Sequence, residues 1–171
     1  MGKKSTKEDK NIYQLAREEA GLTRAEAAEA MKFVSESRIE KIESGAAQAQ
    51  PEDIMAMEKA YKKPSLSNYY CSHECPIGKE SVPEVKSGTL SEIVLELLNG
   101  INSVSKTKDR LVEITYDGKI DDTEIRDFAA VKEQLEELSL TVDALQLWVD
   151  DAINSGTIDQ EKLEALEHKK G

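Results

Sequence analysis

Three side chains capable of metal or redox chemistry, Cys71, His73 and Cys75, fall within five residues of one another. Thiolate and imidazole are good zinc ligands, but a structural zinc site wants about four ligands, as two closely spaced pairs. The sequence offers no second pair. The other histidine, His168, stands near the end of the chain, so a complete site would need a carboxylate, a water or a second subunit. Three readings stay open: Tyr69, Tyr70, Cys71 and Ile77 pack the segment onto the preceding helix; Cys71, His73 and Cys75 hold zinc; or the thiols form a redox switch. Two cysteines four residues apart make no disulfide framework, so nothing argues for an oxidising compartment.

Other constellations are weaker. The run Asp117 to Glu124, DGKIDDTE, superficially suggests a calcium loop, but it lacks the alternating ligand register and reads instead as a turn between helices. There is no glycine-rich phosphate loop, and neither histidine has a nucleophile and an orienting acid arranged beside it, so an enzyme is not expected. Apart from the possible zinc, no cofactor is implied. Gly2 followed by Thr6 fits the myristoylation pattern, although a solvated tail is the plainer reading.

The elements that must position these groups are helical. Of 171 residues, 39% are hydrophobic and 33% charged, with four Pro, five Tyr, two Phe and one Trp, a mixture suited to helices with narrow apolar seams. No apolar run approaches the roughly 20 residues that span a bilayer, and the start MGKKSTKEDK has no apolar stretch after its charges. A soluble, cytoplasmic protein without a membrane partner is expected. Charge is uneven: residues 1–70 hold 12 Lys and Arg against 12 Asp and Glu, whereas residues 71–171 hold 11 against 22 and account for the net −11. A polyanion must therefore be met by the first half.

In that half, Ile12, Leu15, Ala16 and Ala20 have the three-and-four spacing of an amphipathic helix that Gly21 closes. Thr23 with Glu26 makes a capping box for a second helix reaching about Met31. The stretch Lys32-Phe33-Val34 breaks the pattern, and Ser35 caps a third helix, Glu36 to Ser44, with Ile39 and Ile42 inward. Pro51 opens a fourth, whose buried stripe is expected to be Ile54, Met55, Met57 and Ala60. Residues 67–88 hold Pro and Gly with no helical period and read as an extended connector. Beyond it, Thr89 with Glu92 caps a long helix whose seam is Leu90, Ile93, Leu97, Ile101, Val104 and Leu111. Asp121 with Glu124 starts another, with Ile125, Phe128, Val131, Leu135, Leu138, Val142, Leu145, Val149 and Ala152 at nearly strict three-and-four spacing. A short last helix, capped at Thr157, carries Leu163 and Leu166. The short turn between the long helices makes them antiparallel, and extra apolar residues beside both seams, such as Val94, Leu98, Val112 and Trp148, suit a bundle or coiled coil of more than two helices.

Two short helices joined by a tight turn are the geometry that seats the second of them in the DNA major groove. The segments LTRAEAAEAM, VSESRIEKIESG and PEDIMAMEKAY resemble the lambda-repressor-like, or xenobiotic-response-element type, helix-turn-helix family of bacterial and phage regulators, over about residues 10–63. The resemblance implies double-stranded DNA as partner. It places Thr23 and Arg24 at phosphate-contacting positions, Ser35, Glu36, Ser37, Arg38, Glu40 and Lys41 at the recognition helix, and Ala28 where the two helices cross. The family usually has Gly where Lys32 stands, and Phe33 looks like one extra residue in the turn. The recognition helix also sets Glu36, Glu40 and Glu43 against Arg38 and Lys41, which opposes phosphate binding.

The expected architecture is thus all-α. A four- to five-helix lambda-repressor-like domain (residues 1–66) leads through the Cys/His-containing connector (67–88) to a long antiparallel helical hairpin with a short terminal helix (89–171). The expected function is that of a sequence-specific DNA-binding transcriptional regulator, a homodimer through residues 89–171. The alternative is a protein-interaction module, an antirepressor or assembly factor, that keeps the fold without binding DNA.

Overall fold

The computed structural model describes residues 10–167, so Gly2, Thr6 and His168 lie outside the described residues. Among those described there are nine helices and no strand, and none of the helices is long and apolar enough to cross a membrane. The chain divides into two compact units: the residues up to Glu84 together with those from Asp150 onward, and Val85–Val149.

The first unit opens with four short helices, Ile12–Glu19 (α1), Arg24–Met31 (α2), Glu36–Glu43 (α3) and Pro51–Tyr61 (α4). Local signals set each start. Asn11 accepts from the Gln14 amide at α1, Thr23 and Glu26 exchange both capping-box bonds at α2, and Ser35 accepts from the Arg38 amide at α3. Tyr13, Ala16, Ala27, Met31, Val34, Ile39, Ile42, Ile54, Met57 and Tyr61 form one core. Ala27 is fully buried and its neighbour Ala28 only partly so. Met55, expected in the stripe of α4, is instead 58% exposed, and Ala56 is buried in its place. The buried residues Asp53, Ile54, Ala56, Met57 and Tyr61 share one side of α4, and position 55 falls nearly opposite it.

The same unit continues past residue 66. The expected extended connector is helical over Ser65–His73 (α5) and Gly78–Ser81 (α6). The cause is tertiary. Leu66 is fully buried, Tyr69 and Tyr70 pack against the core, and the Tyr13 hydroxyl donates to Glu74 at 2.8 Å. Burying a leucine and two aromatic faces outweighs a weak local pattern. Ile77, expected to pack inward, is 80% exposed.

The second unit is built from Leu90–Ile114 (α7) and most of Ile125–Asn154 (α8). The capping boxes at Thr89 with Glu92 and at Asp121 with Glu124 are both formed. Contacts between the two helices run antiparallel. A Cβ built on Gly100 would stand 3.1 Å from Leu138 Cδ1, Thr107 Oγ1 donates to Gln134 at 3.0 Å, and Arg110 pairs with Asp127 at 2.7 Å. Ile93, Ile114 and Val131 are buried. The last helix, Gln160–Glu167 (α9), starts later than expected, because Asp159 rather than Thr157 accepts from the first-turn amide of Lys162.

The turn between α2 and α3 is unusual. Phe33 N–H donates to Met31 C=O at 2.7 Å, closing a γ-turn about Lys32 at φ 65°, ψ −42°. A γ-turn with positive φ at a residue bearing a Cβ is strained, by about 1–3 kcal/mol. Lys32→Gly removes that strain, keeps the Lys32 amide's bond to Ala28 C=O at 3.0 Å, and loses about 0.5–1 kcal/mol to backbone entropy. The expected result is a net stabilisation of about 1 kcal/mol, seen as a higher thermal midpoint; an unchanged or lower midpoint contradicts the strain assignment.

Candidate nucleic-acid interface

The α2, turn and α3 segment presents one outward stripe, Glu36, Ser37, Glu40 and Lys41, all exposed. Their spacing of one, three and one residues keeps them on a single face of α3, opposite buried Ile39 and Ile42. Four of the residues expected at DNA therefore share a surface. The other four are otherwise engaged.

Thr23 and Ser35 are caps: the Thr23 amide donates to Glu26 Oε2 at 2.7 Å, and Ser35 Oγ accepts from the Arg38 amide at 3.2 Å. The bonds from Thr23 hold the Glu26 carboxyl below the usual carboxylate range, so a negative charge is fixed where a phosphate contact was expected. Arg24 donates from Nε to Glu43 Oε2 at 2.8 Å and stands 3.9 Å from Glu40. Arg38 donates to Asp53 Oδ2 at 2.6 Å and to Gln48 C=O at 2.9 Å, tying α3 to the start of α4. The Asp53 hydrogen bond pushes the Arg38 guanidinium further above its ordinary range.

Glu43 is the residue that sequence reasoning misplaced. It does not face outward with Glu36 and Glu40. It is buried, and it accepts from Arg17 Nε at 2.5 Å, Arg17 Nη2 at 3.0 Å and Arg24 Nε at 2.8 Å. Arg17 also donates to Leu22 C=O at 2.7 Å. One carboxylate thus links α1, α2 and α3 and fixes the angle at which α3 is offered. The signal was present: positions 39, 42 and 43 are one helical face, so Glu43 belongs with the core isoleucines. Arg17 lies next to buried Ala16 in the same way.

The surface that results carries two carboxylates and one lysine on α3, with Lys32 exposed in the turn. Lys41 makes no ion pair among the described residues, whereas Arg24 and Arg38 are compensated within the domain. On this surface Lys41 and Lys32 are the exposed cations without an ion pair among the described residues.

Cys71, His73 and Cys75 are not gathered on one point. The His73 ring stacks on Tyr69 with centroids 4.4 Å apart, and its Nε2 stands 3.7 Å from Glu84. Cys75 Sγ accepts from the Gly78 amide at 3.5 Å. A Cβ on Gly78 would fall 2.2 Å from the Cys71 carbonyl oxygen, so a glycine is what lets α6 lie on α5. Both thiols are free and half-buried. Among the described residues, no three His, Cys, Asp or Glu side chains form a group that could hold a metal ion. The run Asp117 to Glu124 is a turn in which Asp117 and Asp121 accept from backbone amides two and three residues ahead.

Comparison with curated proteins and with solved structures gives no match to the chain. A family model described as "Helix-turn-helix" matches residues 14–66, which run from α1 into α5 and include both helices of the reading pair. The caps, the buried crossing and the outward stripe all fall in that same span, and over residues 14–66 the N-terminal domain is similar to the lambda-repressor-like helix-turn-helix family.

Proposed function

We propose that the protein is a cytoplasmic, sequence-specific DNA-binding transcriptional regulator that works as a homodimer. The observation that carries this reading is the outward stripe of α3, set at a fixed angle to α2 by buried Glu43, in a domain of the helix-turn-helix family. Two such helices enter successive major grooves of an approximate palindrome when their chains are joined by a two-fold interface. That interface is assigned to residues 89–171, where α7 leaves Leu95, Leu98 and Ile101 exposed.

Each uncompensated cation that meets a phosphate adds about 0.9 to the slope of log affinity against log salt. With Lys32 and Lys41 as the free cations of the reading surface, a slope near −2 per domain is expected, well below that of strongly basic repressors. The test is to select bound fragments from random duplex DNA with the full chain and titrate the winner with salt. Lys41→Ala should weaken binding and reduce the slope by about one per domain without altering stability. Arg38→Ala should instead lower the thermal midpoint, since it frees Asp53 and the Gln48 carbonyl. Failure to enrich any duplex at low salt overturns the reading.

A second reading has one observation in its favour. The surface that should meet phosphates keeps Glu36 and Glu40 outward while Arg24 and Arg38 are neutralised within the domain. That suits a protein-interaction module, an antirepressor or assembly factor, that retains the fold, and absence of salt-dependent DNA binding is its expected signature.

A further inference from the structure

The γ-turn about Lys32 has a consequence for the reading surface. Between Met31 and Ser35 the chain must bury Val34 and begin α3, and the tight turn places the one remaining apolar side chain, Phe33, in water at 71% exposure. A ring left in solvent contributes nothing to this domain's core, and it is held there by backbone that is itself strained. Its exposed neighbours along the chain, Lys32, Ser35 and Glu36, are polar, so the local sequence around Phe33 offers no run of apolar residues to extend it.

Phe33 stands two residues before the cap of α3. In helix-turn-helix docking the N-terminal end of the second helix is the end whose side chains reach the base edges. A phenyl ring has no hydrogen-bonding atom, and the major groove offers it one complementary feature, the C5-methyl group of thymine. We propose that Phe33 is a specificity-determining residue that packs on a thymine methyl at the edge of each half-site, projected there by the Lys32 γ-turn. This assignment rests on the DNA-binding reading above. It adds an apolar contact to a surface whose polar groups, Glu36, Ser37, Glu40 and Lys41, have no means of recognising a methyl group.

The experiment uses the full chain and the duplex selected from random DNA, with each thymine of the site replaced in turn by uracil, which lacks only the methyl. Wild-type protein should lose about fourfold in affinity per half-site at one symmetric thymine position, the worth of one buried methyl-sized group. Phe33→Ala should bind the thymine site that much more weakly and show no further loss with uracil. Phe33→Leu, which keeps an apolar tip, should retain part of the discrimination. Because the ring is exposed, all three proteins should melt alike, which separates a lost contact from a lost fold. Equal affinity and an identical uracil profile for wild type and Phe33→Ala would overturn the assignment while leaving DNA binding intact. A wild-type chain that enriches no duplex overturns both.

Discussion

Replacing Glu43 by alanine should cost the first unit about 3–5 kcal/mol, a large share of the stability of a small domain. The side chains of Arg17 and Glu43 are 8% and 1% exposed, and Glu43 accepts three charged hydrogen bonds from Arg17 and Arg24. Arg24 is a third exposed and can turn to water when its partner is removed. Arg17 cannot, so its guanidinium is left as a buried charge whose remaining hydrogen-bond partner is the Leu22 carbonyl. That uncompensated charge, not the loss of attraction, sets the magnitude. Amide exchange at Ile39 and Ile42 reads it directly, and protection there should fall by about two to four orders of magnitude. The double variant Arg17→Met with Glu43→Leu should recover most of the loss, because an apolar pair of similar volume needs no compensation. Loss of less than about 1 kcal/mol in Glu43→Ala would show that water reaches Arg17 and that the cluster does not fix α3.

A further result follows for DNA. Glu43→Gln neutralises the carboxylate that holds Arg24, so at temperatures where the variant remains folded Arg24 becomes available to phosphate. On the proposed DNA-binding reading, the variant should trade stability for DNA affinity through one side chain. The present arrangement favours a fixed α3 over a more positive surface.

What could be read from the sequence follows the range over which each interaction acts. Helix starts at Thr23, Ser35, Thr89 and Asp121 were visible because a cap and its partner lie three residues apart. The apolar period through Ile39, Ile42, Ile54 and Met57 was visible because one helical face repeats locally. Arg24 and Arg38 looked like free cations because their carboxylates, Glu43 and Asp53, stand 19 and 15 residues away. The fold brings those partners into reach, and no local pattern announces them. The same holds for α5, whose local pattern reads as loop and whose helix is stabilised by contacts from Leu66, Tyr69 and Tyr70 to the core. The γ-turn had a visible cause, an extra residue and a lysine at the turn, but which side chain it would project was a matter of packing Val34.

The second large effect is expected at the hairpin. Full-length protein should be dimeric at about micromolar concentration, and the pair of substitutions Leu98→Asp and Ile101→Asp should make it monomeric without unfolding it. Leu138 sits on the long seam but is a poor position to test, since it already covers Gly100 within the chain and its loss would damage the hairpin itself. Leu95, Leu98 and Ile101 are different: they are 62%, 51% and 48% exposed on α7, while Leu135 and Val142 form a partly exposed line on α8. Covering a large aliphatic side chain that is already half buried gains about 0.7–1.5 kcal/mol, so the five from each of two protomers together supply roughly 10 kcal/mol, comparable to the estimated 4–15 kcal/mol that association costs. The margin is narrow, so two of the five decide the outcome. In a two-fold interface each aspartate also meets the apolar face of the partner, and its own symmetry mate when near the axis. Sedimentation equilibrium gives the mass, and circular dichroism confirms that the helices persist. The monomeric variant should lose about 100-fold or more in affinity for a two-half-site operator, since the second domain no longer binds at the high effective concentration set by the first. Its affinity for a single half-site should be unchanged, because residues 98 and 101 lie outside the unit that carries α3. A wild-type chain that stays monomeric at about 100 µM would remove the dimer, and with it the expectation of a palindromic operator.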